Sequence, residues 1–461
     1  MAGVRSLLGL ELSEKQKWKR SSVTGGLISD AQGRHPSWFE AVFDLIIVAS
    51  FSALGEGLQR NLDDPDSKWI RLSAPLVYML QFTPIYTSWS VLDTYINRFG
   101  VEGILGGLTI LVNTIIIAIM NFTLLKLNTA DSEKERLLAF ASYCCCNLAS
   151  NLASSVMYLR VCLQTDYKRF SASIIVMHLG FALLWLVLAQ LGEYPTQMYV
   201  VWTVVVLLEH HRIPMSIKIG QALSSYFSEA ESKGVPIDVP LFIERNGLLL
   251  IIAIGECLMA TVEGGKVMKL DSQALQSLSI AVSHAFLLKV SFFDVFDSPG
   301  EEAETHALKR SISSALQFIP YMLYAVAGVT LSSQMLKDAE EYKRNFEETG
   351  EAVPLSAAFM FAVAMGSMLL SFFHMSICHV REEEEDEVLS TRTRSWLLVL
   401  AGVIMTLLSV LIQWTNPYHL EITMQGIFAA AVMGEFLCRY LKKTGGDDKM
   451  ESDYQSISTT T

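Results

Sequence analysis

Glu40 and Asp44 stand four residues apart at the head of an apolar run, and Glu56 lies near its far end. Positions four apart share a helix face. The two carboxylates would therefore sit side by side and repel unless a cation answers them. Arg245 and Lys289 are basic residues that fall well inside apolar stretches, so they are the obvious candidates. A similar set of charges recurs further on: Glu244 and Arg245 open a run that reaches Glu256. Asp93 and Asp294 close the neighbouring runs. Ionisable groups within apolar helices mark ion, proton or solute pathways, or else pairs that hold a bundle together. The candidate ion or substrate site thus comprises Glu40, Asp44, Glu56, Asp93, Glu244, Arg245, Glu256, Lys289 and Asp294.

The elements that must position these groups are membrane helices. Between Asp44 and Glu56 only 11 residues are uncharged, and between Arg245 and Glu256 only 10. Eleven residues of helix cover roughly 16 Å, whereas a bilayer core is about 30 Å thick. If either run spans, an acid sits at hydrocarbon depth, at about 3 kcal/mol unless a partner or water answers it.

Of the 461 residues, 51% are hydrophobic, and apolar blocks of spanning length recur along most of the chain. Twelve spans are expected, at 38–58, 72–92, 101–125, 137–160, 173–192, 197–214, 241–262, 275–293, 311–334, 354–377, 395–414 and 419–440. The fold class is therefore an all-α integral membrane protein. Residues 1–37 form a polar, basic tail without a cleavable signal. Residues 38–214 form a first membrane half, 215–240 a connecting loop, 241–440 a second half and 441–461 a C-terminal tail. The charged stretches 337–351 and Arg381–Glu387 read as solvated connections. Lys and Arg number 22 in the tails and even-numbered connections with their adjoining span ends, against 11 in the odd-numbered ones. Both termini are thereby expected in the cytoplasm.

An offset of 200 residues sets Ala53-Leu54-Gly55-Glu56-Gly57-Leu58 on Ala253-Ile254-Gly255-Glu256-Cys257-Leu258, and Asp44 on Glu244. With small gaps Asp93 meets Asp294 and Glu209 meets Glu435. Matching of the rare charged positions suggests two halves of six spans, a parallel repeat.

Other chemistries find little support. No HExxH, P-loop, GxSxG or di-iron histidine box occurs, and no cofactor is expected. His178, His284 and His374 are single histidines on apolar faces, expected as hydrogen-bonded core residues. The seven cysteines lie in or beside apolar blocks without a CxxC pair and read as small hydrophobes. The net charge of −12 comes with no basic patch interleaved with aromatics, which argues against a nucleic-acid partner. In the tail, Tyr454 and Ile457 frame a Tyr-x-x-bulky sorting signal.

Several segments together resemble the bacterial low temperature requirement A (LtrA) family of multi-pass membrane proteins. Trp38-Phe39-Glu40-Ala41-Val42-Phe43-Asp44-Leu45 is similar to that family's opening W-x-E-L-F-F-D-L motif. Trp89 with Tyr95-Ile96-Asn97-Arg98-Phe99 is similar to its W…Y-x-N-R-F segment, and Glu244-Arg245-Asn246-Gly247-Leu248 with Ile254-Gly255-Glu256 to its E-R-F-G-L…L-G-E-S block. His306-Ala307-Leu308-Lys309-Arg310 resembles a further segment. Asn246 stands where the family has an aromatic, Cys257 where it has serine, and Phe318 where it has histidine. The resemblance implies topology more firmly than activity.

The expected function is a transporter or channel for an ion, proton or small solute, with the bilayer itself as the surrounding partner. The alternatives are a non-catalytic membrane scaffold and an intramembrane lipid-acting enzyme using Glu40 and Asp44 with His210 and His211. The absence of catalytic motifs favours a non-enzyme.

Overall fold

The computed structural model describes residues 38–63, 68–99, 103–130, 132–165, 167–192, 195–227, 237–265, 272–290, 312–350, 355–378, 391–411 and 419–434, with 19–20, 27–28 and 417. Asp294, the 306–310 segment, Glu435, Tyr454 and Ile457 lie outside them, as does the side chain of Glu56. Apart from a two-residue antiparallel pairing of Lys19–Arg20 with Leu27–Ile28, the regular structure described is helical.

The chain divides into two compact units, Met1–Ala253 and Ile254–Thr461. In the first, α1 is Trp38–Asp63, α2 Lys68–Phe99, α3 Gly103–Thr129, α4 Glu133–Gln164 and α5 Lys168–Ala189. They are followed by α6, Pro195–His210, and α7, Arg212–Ala222, and α8 begins at Val239 and runs to Gly265. Helix α1 packs on α2 and α3, α3 on α4, α4 on α5, and α5 on α6 and α7, while α2 also meets α6. In the second unit, α9 is Ser272–Lys289, α10 Ile312–Thr349, α11 Leu355–Cys378 and α12 Thr391–Leu411, and residues 419–434 form α13. Here α11 packs against both α10 and α12.

Three of the described helices are long and apolar enough to cross a membrane: Gly107–Thr129 of α3, Glu133–Leu163 of α4 and Lys168–Ala189 of α5. Shorter apolar runs occupy Gln197–His210, Leu278–Lys289, Ala357–Phe372 and Leu398–Ser409. The distribution of side chains matches that reading. On α3, Leu108, Leu111, Val112, Ile115, Ile119 and Phe122 are exposed at helical spacing. Helix α4 exposes Leu152, Val156, Leu159 and Leu163 while burying Asn147, Ser150, Asn151 and Ser154. Apolar residues outside and polar ones inside invert the pattern of a water-soluble bundle, where exposed apolar patches of this kind are rare. Hydrocarbon is the solvent that permits it. Many of the inward polar groups bond to their own helix: Asn147 Nδ2 donates to Tyr143 O (3.0 Å), Asn151 Nδ2 to Asn147 O (2.9 Å) and Ser154 Oγ to Ser150 O (2.9 Å).

The second span, expected at 72–92, lies within a helix that runs through Pro75 and Pro84 over all of Lys68–Phe99. Near Pro84, Ser88 Oγ donates to Pro84 O (2.8 Å) and Tyr143 Oη to Gln81 O (3.4 Å). The sixth span, set at 197–214, stops at His210, and α7 restarts at Arg212. The charged stretch 337–351 is not a solvated connection: most of it is helical in α10, Asp338 and Lys343 are buried, and Lys343 pairs with the buried Glu421.

Helices α10, α11 and α12 approach closely because glycine stands where they meet. A Cβ on Gly402 would lie 3.3 Å from Gly366 Cα, and one on Gly328 would lie 2.5 Å from Met368 Cγ. Small residues at such crossings let backbones come together where no hydrophobic force drives membrane helices.

Candidate functional site

Helix α2 organises the site through one face. Tyr78, Phe82 and Tyr86 stack along it at 5.6 and 6.0 Å, and Trp89 follows 5.4 Å beyond Tyr86. Phe51 of α1 packs 4.3 Å from Phe82, which locks the two helices side by side. Continuing the same register, Trp89, Asp93 and Asn97 are spaced by four and project alike.

Each of the three does a different job. Trp89 Nε1 donates to Asp44 Oδ1 at 2.7 Å. Asp93 meets the guanidinium of Arg245, with Oδ1 2.8 Å from Nη1. Asn97 clamps the start of α8: its Nδ2 donates to Asp238 O (2.9 Å) and its Oδ1 accepts from Asp238 N (2.8 Å). The Asp238 carboxylate in turn accepts from Leu241 N at 3.3 Å, capping α8. Arg245 lies about two turns further along and is thereby delivered to the acids.

Arg245 is the hub. Its Nη2 donates to Asp44 Oδ1 at 2.8 Å, and its Nη1 lies 3.4 Å from Glu40 Oε2 as well as beside Asp93. The relative exposures of Glu40, Asp44, Asp93 and Arg245 are 1%, 0%, 0% and 0%. Among the described residues the contacts to Asp93 and Glu40 are ion pairs without hydrogen-bond alignment, and both Asp93 oxygens, Asp44 Oδ2 and Arg245 Nε have no hydrogen-bond partner. Among the described residues three carboxylates thus surround one guanidinium, so acids outnumber bases there. Burying an unanswered charge is expensive, so such a cluster must hold protons or bind cationic charge, or stay under strain.

Of the residues singled out from sequence, the structure brings Glu40, Asp44, Asp93 and Arg245 together. Glu244 is exposed beside the buried Arg245, so it does not face Asp44 across a shared space. Consecutive helix positions point about 100° apart, and only one of the two can turn inward. Glu256 and Lys289 belong to the second unit, Glu256 half-buried and Lys289 exposed at the last turn of α9. The charge pattern of the sequence does not single out Trp89 and Asn97, although both stand within a motif. An indole or amide on an apolar helix carries no charge to betray it.

A second polar cluster in the same unit is closed on itself. Glu209 Oε1 accepts from Trp185 Nε1 (2.9 Å) and Arg212 Nη2 (3.2 Å), and Oε2 accepts from Thr87 Oγ1 (3.3 Å). The Arg212 guanidinium also lies 5.3 Å above the Phe181 ring. Charges balance one to one, and the cluster ties α2, α5, α6 and α7 together. His178 Nδ1 pairs with Asn151 Oδ1 at 2.9 Å, and His284 pairs with Gln425 and Ser332 at 2.9 and 3.3 Å. Both are hydrogen-bonded core residues, and His374 bonds Leu370 O and stacks on Tyr321. Among the described residues no three His, Cys, Asp or Glu side chains are arranged to hold a metal ion.

The family model described as bacterial low temperature requirement A protein (LtrA) matches residues 35–433. No curated protein matches the chain. The family match covers Glu40, Asp44, Trp89, Asp93, Asn97 and Arg245, together with every helix described from α1 to α12 and most of α13. The chain belongs to the LtrA family.

Proposed function

We propose that this LtrA-family membrane protein is a transporter or channel for a proton, ion or small solute, with Glu40, Asp44, Asp93 and Arg245 as its intramembrane site. The observation that carries the reading is that, among the described residues, carboxylates outnumber cations in a buried cluster on helices of membrane type. A cluster serving assembly alone would be expected to balance, as Glu209 with Arg212 does. An unbalanced one is equipped to take up and release positive charge. In this reading the chain crosses the bilayer twelve times as two halves of six, both termini are cytoplasmic, and the site opens toward the cytoplasmic side.

Reconstitution tests it. In proteoliposomes with an imposed pH or cation gradient, wild type dissipates the gradient and Asp44→Asn or Arg245→Gln slows that flux at least tenfold. If wild type moves neither charge nor solute above empty liposomes, the transport reading fails.

A further inference from the structure

The four charged groups of the cluster are not equivalent, and the difference singles out one of them. Glu40 lies in the first turn of α1, where the exposed N–H groups and the helix dipole favour a negative charge. Asp44 accepts two aligned donors on Oδ1, the Trp89 indole and an Arg245 Nη2. Charge-assisted bonds of this kind hold a carboxylate ionised. Asp93 has neither support. It is fully buried, sits toward the C-terminal, electronegative part of α2, and among the described residues neither of its oxygens has a hydrogen-bond partner. The groups that face it are Arg245, Asp44, Glu40 and the phenol of Tyr86. Among the described residues that face it only Arg245 is cationic, and it is already shared with two other acids.

We propose that Asp93 is the proton-carrying residue of the cluster: it holds a proton at neutral pH beside the guanidinium that Glu40 and Asp44 share. Protonation removes one negative charge from the cluster and turns a buried oxygen into a hydroxyl that can donate. A bound metal cation is the less fitting neutraliser, since the guanidinium occupies the middle of the acids. This deepens the transport reading and rests on it for its meaning, because a proton held beside a shared guanidinium is one that a conformational change can release. The protonation itself can be read without any flux.

Infrared spectroscopy of the purified protein in lipid at neutral pH provides the test. Wild type shows a protonated-carboxyl carbonyl band, which loses one carboxyl per chain in Asp93→Asn and keeps its area in Glu40→Gln. In case Asp93→Asn does not fold, wild type carrying carbon-13 at the aspartate side-chain carboxyl must show that band displaced. No band in wild type, a band unmoved by the aspartate label, or a band lost in Glu40→Gln but kept in Asp93→Asn overturns the proposal. A protein that keeps the Asp93 band yet moves nothing in liposomes supports the protonation and overturns only the transport reading.

Discussion

Removing the cation from the cluster gives the most direct measure of what holds the first unit together. Arg245→Gln keeps most of the side-chain length but withdraws the charge that faces Asp44 and Asp93 at 2.8 Å and Glu40 at 3.4 Å. Breaking a buried pair by deleting one partner costs about 3–5 kcal/mol. Helix ends and the Trp89 indole remain to support two of the acids, so the middle of that range is expected. A loss of about 4 kcal/mol is close to a thousandfold in the ratio of folded to unfolded protein. Reversible unfolding in mixed micelles measures it. The diagnostic step is the double variant: once Arg245 is gone, Asp44→Asn removes a charge with no answer and should recover about 1–2 kcal/mol, although alone it is destabilising. The reasoning is refuted if Arg245→Gln loses less than about 1 kcal/mol, or if Asp44→Asn has the same effect in both backgrounds, since either result means the guanidinium is not what neutralises these acids.

Two further substitutions probe the supports. Trp89→Phe keeps the aromatic packing against Tyr86 but deletes the 2.7 Å bond to Asp44. Hydrogen bonds to charged groups contribute about 1.5–3 kcal/mol, and unfolding of this variant should show a loss of that order, whereas Trp202→Phe, whose indole nitrogen has no hydrogen-bond partner among the described residues, should lose less. Gly328→Leu places side-chain atoms where Met368 and Ser367 already stand within 2.8 Å of the first added carbon. Overpacking costs about 1–3 kcal/mol, read as lowered thermal stability in detergent, and Gly107→Leu, where a Cβ meets nothing within 4 Å, is the control expected to stay near wild type.

Charge made part of the site visible in the sequence. Glu40, Asp44, Asp93 and Arg245 stand out because an ionised group in an apolar run has to be explained, whatever the fold. The aromatic face of α2 and the Asn97 clamp were hidden for the opposite reason: Trp89 and Asn97 cost little on an apolar helix, and their partners lie 45 and 141 residues away. The same blindness explains α10. Lys343 reads as solvated until Glu421, 78 positions later in the chain, comes to meet it.

The internal match shows where alignment and structure part. At an offset of 200 residues Asp44 falls on Glu244, and equal register suggests two acids facing one another. Such a face-to-face pair of buried carboxylates would repel, and a third acid from α2 would add to it. The structure has the neighbouring residue inward instead: Arg245 is fully buried and Glu244 is exposed. One residue of rotation converts a repulsion among acids into a guanidinium shared by three of them. It also makes the site lopsided, with three acids on α1 and α2 and one cation on α8. That lopsidedness leaves Asp93 the weakest-supported anion of the three and so the natural seat for a proton. Moving the cation by one position should therefore undo the arrangement: in Glu244→Arg/Arg245→Glu the composition is unchanged, but a fourth acid points inward and the basic residue points out. Any account in which only the number of charges matters predicts a functional swap. Helix geometry predicts an unstable one.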